Sequence, residues 1–187
     1  MKIHEIAGFL RSLKSGRLKA NEIIRLGGVF EVECFGPDGK LKWRDTAKNK
    51  IINIGLNHIL GVEFYGVAQI AAASWYLGLT GSTPTPAAGD TLSSHSGWTE
   101  ATAYSQASRP AWDQGAASGQ QITNGSPAVF SINGTATIGG AFLVSNNVIS
   151  GTTGTLFSVA PFSQGNKSCS SGDTVNATYT LSASSST

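Results

Sequence analysis

PAVFSINGTATIGGAFLVS, running from Pro127 to Ser145, is the stretch whose reading decides the fold class. Phe130 and Ile132 alternate with polar neighbours, Asn133-Gly134 follows, and Ala136 and Ile138 resume the alternation. Asn-Gly between alternating runs is the strongest short-range hairpin signal, because both turn residues must accept positive φ. The expectation is a central β-hairpin. Its second strand bulges at Gly139-Gly140 and enters the apolar run Ala141-Phe142-Leu143-Val144, buried on both faces. None of these residues is reactive, so the best-defined part of the chain describes a scaffold.

The same two-residue period recurs on either side. Phe30, Val32 and Cys34 alternate with Glu31 and Glu33, Pro37-Asp38-Gly39 supplies a turn, and Leu41 and Trp43 alternate with Lys40, Lys42 and Arg44. That pattern predicts a second hairpin with one apolar face and glutamates set across from lysines. Residues 151–159 predict a further strand. In residues 173–181 Val175, Ala177, Tyr179 and Leu181 share one face of a closing strand, with a frayed tail after it. Two apolar runs within residues 62–80 also read as strands. One short internal helix interrupts the pattern, starting at Thr46 as cap, carrying Ile51, Ile52, Leu56, Ile59 and Leu60, and ending near Gly61. The class is mainly β.

Charge divides the chain. Residues 1–50 hold 11 of the 13 Lys and Arg but only 6 of the 11 Asp and Glu, so the remainder is slightly acidic. In residues 1–27, Ile3, Ile6, Phe9, Leu10 and Leu13 recur at helical spacing between Lys2, Glu5, Arg11 and Lys14, with Arg17 beyond Gly16. This reads as a helical or extended N-terminal arm whose apolar face needs a cover, ahead of a domain spanning residues 28–187. The charged residues near the start leave no room for a signal-peptide core, and no run reaches the ~20 apolar residues of a membrane helix. The expectation is a protein made in a cytoplasm that neither enters a membrane nor binds nucleic acid directly, because little aromatic interleaving accompanies the basic residues.

Chemistry is sparse. Cys34 and Cys169, the only cysteines, read as two reduced, partly buried thiols. The long loop Gly81–Ser96 holds Asp90, Ser94 and His95, but adjacent Ser and His cannot easily form a nucleophile–base bond, and no nucleophile elbow surrounds the serine. His58 has no second ligand at helical spacing. Glu31 and Glu33 read as a solvated strand face. Trp98, Arg109 and Trp112 form either a structural contact or a surface that touches sugars. No catalytic residue, metal site or cofactor is expected.

Several motifs in order carry a resemblance. They are Phe30–Trp43 (F-x-V-x-C-x-x-x-D-G-x-L-x-W), Asn49–Leu60 (NKIINIGLNHIL), Trp75–Leu79, Gly97-Trp98-x-Glu100, Arg109-Pro110-x-Trp112, Gly140–Leu143, and Gly172-Asp173 with Tyr179-Thr180-Leu181. Together they resemble small virion structural proteins of tailed bacteriophages, over roughly residues 28–182. The resemblance implies an antiparallel β-sandwich, jelly-roll-like, and a non-enzymatic assembly role. The expected role is a capsid cement or decoration protein in the virion, bound to the major capsid protein as a homo-oligomer on the shell. The resemblance fixes nothing before Gly28; from the arm's own amphipathic pattern, the contacts are expected to run through Ile3, Ile6, Phe9, Leu10, Arg11, Leu13, Lys14 and Arg17. The alternative is a tail or fibre component that touches host glycans through Trp98, Arg109 and Trp112.

Overall fold

A pleated strand sends alternate side chains to opposite faces, and Phe30, Val32 and Cys34 use that period to reach the core together. In the computed structural model, which describes residues 23–186, they lie on strand β1 (Ile23–Phe35). The turn at Pro37-Asp38-Gly39 returns the chain as β2 (Leu41–Lys48), antiparallel to β1, as its sequence predicts. Glu33 stands opposite Arg44 and pairs with it at 2.6 Å on the exposed face. The expected partner was a lysine; Lys42 instead reaches across to Asp173. The arm residues Ile3, Ile6, Phe9, Leu10, Arg11, Leu13, Lys14 and Arg17 lie outside the described residues.

Residues Leu26–Ser182 form one compact unit. Its order continues with β3 (Lys50–Ile51), helix α1 (Asn53–Phe64), β4 (Tyr76–Thr80), β5 (Gln121–Thr123), β6 (Ala128–Ser131), β7 (Ala136–Ile138), β8 (Gly140–Val144), β9 (Leu156–Pro161), β10 (Lys167–Cys169) and β11 (Thr174–Ser186). One antiparallel sheet runs β2-β1-β11, and β5 and β6 share the far edge of β11. Where those two short strands leave a gap, Asn124 fills it: its Oδ1 accepts from the Tyr179 amide and its Nδ2 donates to the Ala177 carbonyl. A second antiparallel sheet runs β3-β9-β8-β4, and β7 and β10 form a separate ribbon.

The two sheets share a core. Phe30, Val32, Phe130, Val175, Ala177 and Tyr179 from the first meet Leu77, Leu79, Ala141, Leu143 and Phe157 from the second. The expected mainly-β sandwich with one internal helix is therefore what the described residues form. Strand β8 is buried at every position, as its apolar run suggests. Ala141 and Leu143 face the shared core, while Phe142 and Val144 face a second cluster with Ile52, Leu92 and Trp98. Gly78, opposite Phe142 in the ladder, is glycine for a steric reason: a Cβ there would collide with the Phe142 ring.

Four expectations are corrected. First, Asn133-Gly134 closes no hairpin: β6 pairs with β11, β7 with β10, and β8 with β4 and β9. Neither Asn133 nor Gly134 has the positive φ that the tight turn demands. The dipeptide instead carries the chain between sheets, with the Ile132 amide donating to the Asp173 carbonyl and the Asn133 amide to that of Ala103. Second, Thr46 belongs to β2, and α1 begins only at Asn53, after Ile52 and with no side-chain cap. The delay follows from Asp45, which is buried and accepts from the amides of Ser163 and Gln164, holding the segment in the sheet. Third, α1 passes Gly61 and ends at Phe64, so of residues 62–80 only Tyr76–Thr80 is a strand, preceded by a 3-10 turn at Ala72–Ser74. Fourth, β11 continues through Ser186, where a frayed tail was expected.

Candidate functional site

Among the described residues, three places stand out for the side chains they bring together. The first is an apolar groove of about 480 Å³ beside α1, with Trp75, Trp112, Ile122 and Phe157 among its walls and His58 and Glu63 at the helix side. Only Gly55 of α1 is fully buried, pressed on the Phe157 backbone with no room for a Cβ. The exposed side of the helix carries an apolar row beside Asn53, Asn57 and Glu63. Leu56, Leu60, Phe64 and Tyr65 are exposed, the last two to 82% and 87%, and Val67 follows. Of the stripe read from the sequence, Ile52 is buried and Ile51 and Ile59 pack on the core, while Leu56 and Leu60 point outward. Contiguous exposed apolar side chains of this kind mark interaction surfaces more often than isolated ones do. His58 sits edge-on to Trp75 at 5.9 Å between ring centroids, a packing contact.

The second place is a depression of about 240 Å³ over the outer face of the second sheet, under the segment 81–100. Arg109 is fully enclosed here. Its Nε and Nη2 donate to the two carboxylate oxygens of Glu100 at 2.7 and 2.8 Å, and its Nη1 donates to the Asn146 carbonyl at 2.8 Å. The guanidinium lies 5.4 Å from the Phe142 ring centroid, and Glu100 also accepts from the Ser150 amide. This two-pronged pair, charge-assisted and desolvated, ties the neighbouring Glu100 and Arg109 segments to the loop after β8, far along the chain. Beside it His95 stacks on Trp98 at 3.8 Å, and Trp98 leans on Phe142.

Trp98 and Arg109 therefore meet at this depression, but Trp112 does not join them; its indole donates to the Tyr179 carbonyl and lines the α1 groove. All three are buried, so the aromatic corner that a sugar would stack on is not formed. The arrangement matches the structural alternative for these residues. Asp90, Ser94 and His95 are likewise dispersed: the Asp90 carboxylate accepts from the Ala87 amide, Ser94 closes a turn with Thr91, and His95 faces Trp98. Loop 81–96 sends Leu92 onto the Phe142 cluster while many of its residues stay exposed, and Asp90, Ser94 and His95 are not joined as a nucleophile–base pair.

The third place was invisible in the sequence. Cys34 on β1 and Cys169 on β10, 135 residues apart, are both buried free thiols with their sulfurs 3.8 Å apart. Asp173 joins them, with its ligand oxygen and both sulfurs within 4.8 Å of one another. Lys42 Nζ donates to Asp173 Oδ2 at 2.5 Å, and the Ser170 amide to the same oxygen at 2.8 Å. Burial pushes the Cys169 thiol up to about 12, and burial also raises Cys34. For Asp173 burial acts upward, but the bonds from Lys42 and Ser170 outweigh it and hold the carboxyl below its ordinary value. Two free thiols are present as expected, but they are fully rather than partly buried, and their closeness to each other was not foreseen.

No protein-family model and no curated protein matches the chain. Among the described residues, no helix is long and apolar enough to cross a membrane.

Proposed function

We propose that the chain is a non-enzymatic structural protein of a bacteriophage virion, acting as a cement or decoration protein on the capsid shell. The observation that carries this reading is the outward apolar surface of α1. Leu56, Leu60, Phe64 and Tyr65 stand exposed beside a groove with two tryptophans in its walls, as an assembly contact requires. The motif order from Phe30 to Leu181 supports the same class. So does the dispersal of Asp90, Ser94 and His95, which removes the one hydrolase-like grouping the sequence offered. The partner in this reading is the major capsid protein, reached by the arm residues Ile3 to Arg17 and by the α1 surface. Repetition of the protein as a homo-oligomer over the shell makes modest single contacts effective.

The alternative is a tail or fibre component. The burial of Trp98, Arg109 and Trp112 takes away the surface through which host glycans would have been touched. Copy number separates the two. Quantitative mass spectrometry of purified virions is expected to find hundreds of copies per particle. A handful would assign the chain to the tail, and none would overturn the virion reading altogether. Deleting residues 1–22 and measuring occupancy on shells lacking the protein tests the arm, and unchanged binding would remove it from the contact.

A further inference from the structure

We propose that Cys34, Cys169 and Asp173 form a binding site for a thiophilic divalent cation of the zinc class. Zinc–sulfur bonds of about 2.3 Å at a tetrahedral angle set two sulfurs about 3.8 Å apart. Cys34 and Cys169 hold theirs at 3.8 Å, far from the ~2.05 Å of a disulfide. The third donor is at hand, since the Asp173 carboxylate lies within 4.8 Å of both. Two thiolates and a carboxylate leave one corner of the tetrahedron for water, the pattern of an open site.

The surroundings suit a ligand set. Lys42 and the Ser170 amide both bind Asp173 Oδ2, which fixes the carboxylate and leaves Oδ1 for the metal. Charge closes as well: two thiolates and one carboxylate are balanced by a divalent cation and the Lys42 ammonium, so the buried cluster is neutral when filled. Loading releases the two thiol protons to solvent and changes no oxidation state. Entry is short, because Cys169 and Asp173 flank the exposed turn Ser170–Gly172, which packs on exposed Pro37. The sequence hid the site, since its two thiols are separated by most of the chain and show none of the close spacing by which zinc motifs are recognised.

The test uses the full chain, purified with reductant, stripped with a chelator, and titrated with Co²⁺ and then Zn²⁺. The expected result is uptake of one equivalent with a sulfur-to-cobalt charge-transfer band, bleached by Zn²⁺. Because Cys34 and Cys169 are the only cysteines, such a band can arise nowhere else in the chain. Cys34→Ala and Cys169→Ala should abolish the band, and Asp173→Asn, which removes a ligand, should weaken Zn²⁺ binding by at least the ~10–100-fold that losing an outer-shell partner costs. If the alanine variants fail to fold, the wild-type band remains decisive, joined by a rise in Tm with Zn²⁺ that chelator reverses. Absence of the band overturns the proposal. So does Zn²⁺ uptake that persists in folded Cys169→Ala, or a protein isolated as the disulfide that takes up no cobalt after reduction.

Discussion

Replacing Glu100 by Gln removes the charge opposite Arg109 while keeping the shape of the side chain. The Arg109 side chain is 1% exposed and that of Glu100 6%, so the guanidinium is left as a cation with almost no water to solvate it. Breaking one partner of a buried pair costs about 3–5 kcal/mol. The carbonyls of Asn146 and Gly151 still accept from Arg109, which places the expectation at the lower end, about 3 kcal/mol. In a domain of this size each kcal/mol lowers Tm by about 2–4 °C, so the variant should melt about 6–12 °C below the parent. Urea unfolding followed by tryptophan fluorescence gives the free energy directly. The companion double variant Glu100→Met with Arg109→Met should recover most of the loss, because an apolar replacement of a buried pair is often neutral. A single-variant loss under about 1 kcal/mol, the size of a surface pair, would refute the reasoning.

Other outcomes follow from the same geometry. Gly78→Ala drives a methyl into the Phe142 ring and should cost about 1–3 kcal/mol, read by urea midpoint; a neutral result would mean that Phe142 is free to move aside. Asp173 has a folded-state pKa below its unfolded value, so its stabilisation is present above the unfolded value of about 4 and is lost as pH falls through the folded one. Melting scans from neutral to acid pH should therefore show a steeper loss below about pH 4 in the parent than in Asp173→Asn, and parallel curves would contradict the assignment. Phe64→Ser with Tyr65→Ser touches exposed side chains and should shift stability by no more than about 0.5 kcal/mol. The same variant should lose shell binding in a co-sedimentation assay, and full binding would sever α1 from the proposed contact.

Local pattern carried far in this chain where one period governs one face. Phe30, Val32, Cys34, Val175, Ala177 and Tyr179 all point inward as their alternation says, and the turn at Pro37-Asp38-Gly39 forms where its residues demand. Pattern failed where a distant partner decides. Asn133-Gly134 has the composition of a hairpin turn, yet β6 finds its neighbour in β11, some forty residues on, and the dipeptide becomes a crossing between layers. Thr46 could cap a helix, but the bonds that Asp45 accepts from the Ser163 and Gln164 amides claim that segment for the sheet. The site residues divide the same way. Glu100 and Arg109 lie within motifs noticed as a set, although nothing local said that they face each other. Cys34, Cys169 and Asp173 meet only because β1, β10 and β11 converge, which no spacing rule encodes.

The double burial of β8 has a kinetic consequence. Phe142 and Val144 cannot be shielded by the sheet that bears them; they wait for Leu92 and Trp98 to arrive from a segment with little secondary structure of its own. The expected order in folding aligns β4, β8 and β9 before the covering segment, which needs their outer face to pack on. The reverse should hold on opening, with amides of residues 82–98 exchanging with solvent well before those of β8. Whenever that segment opens, the outer face of the sheet presents Phe142 and Val144 to any neighbouring chain, so its closure shields the fold against aggregation.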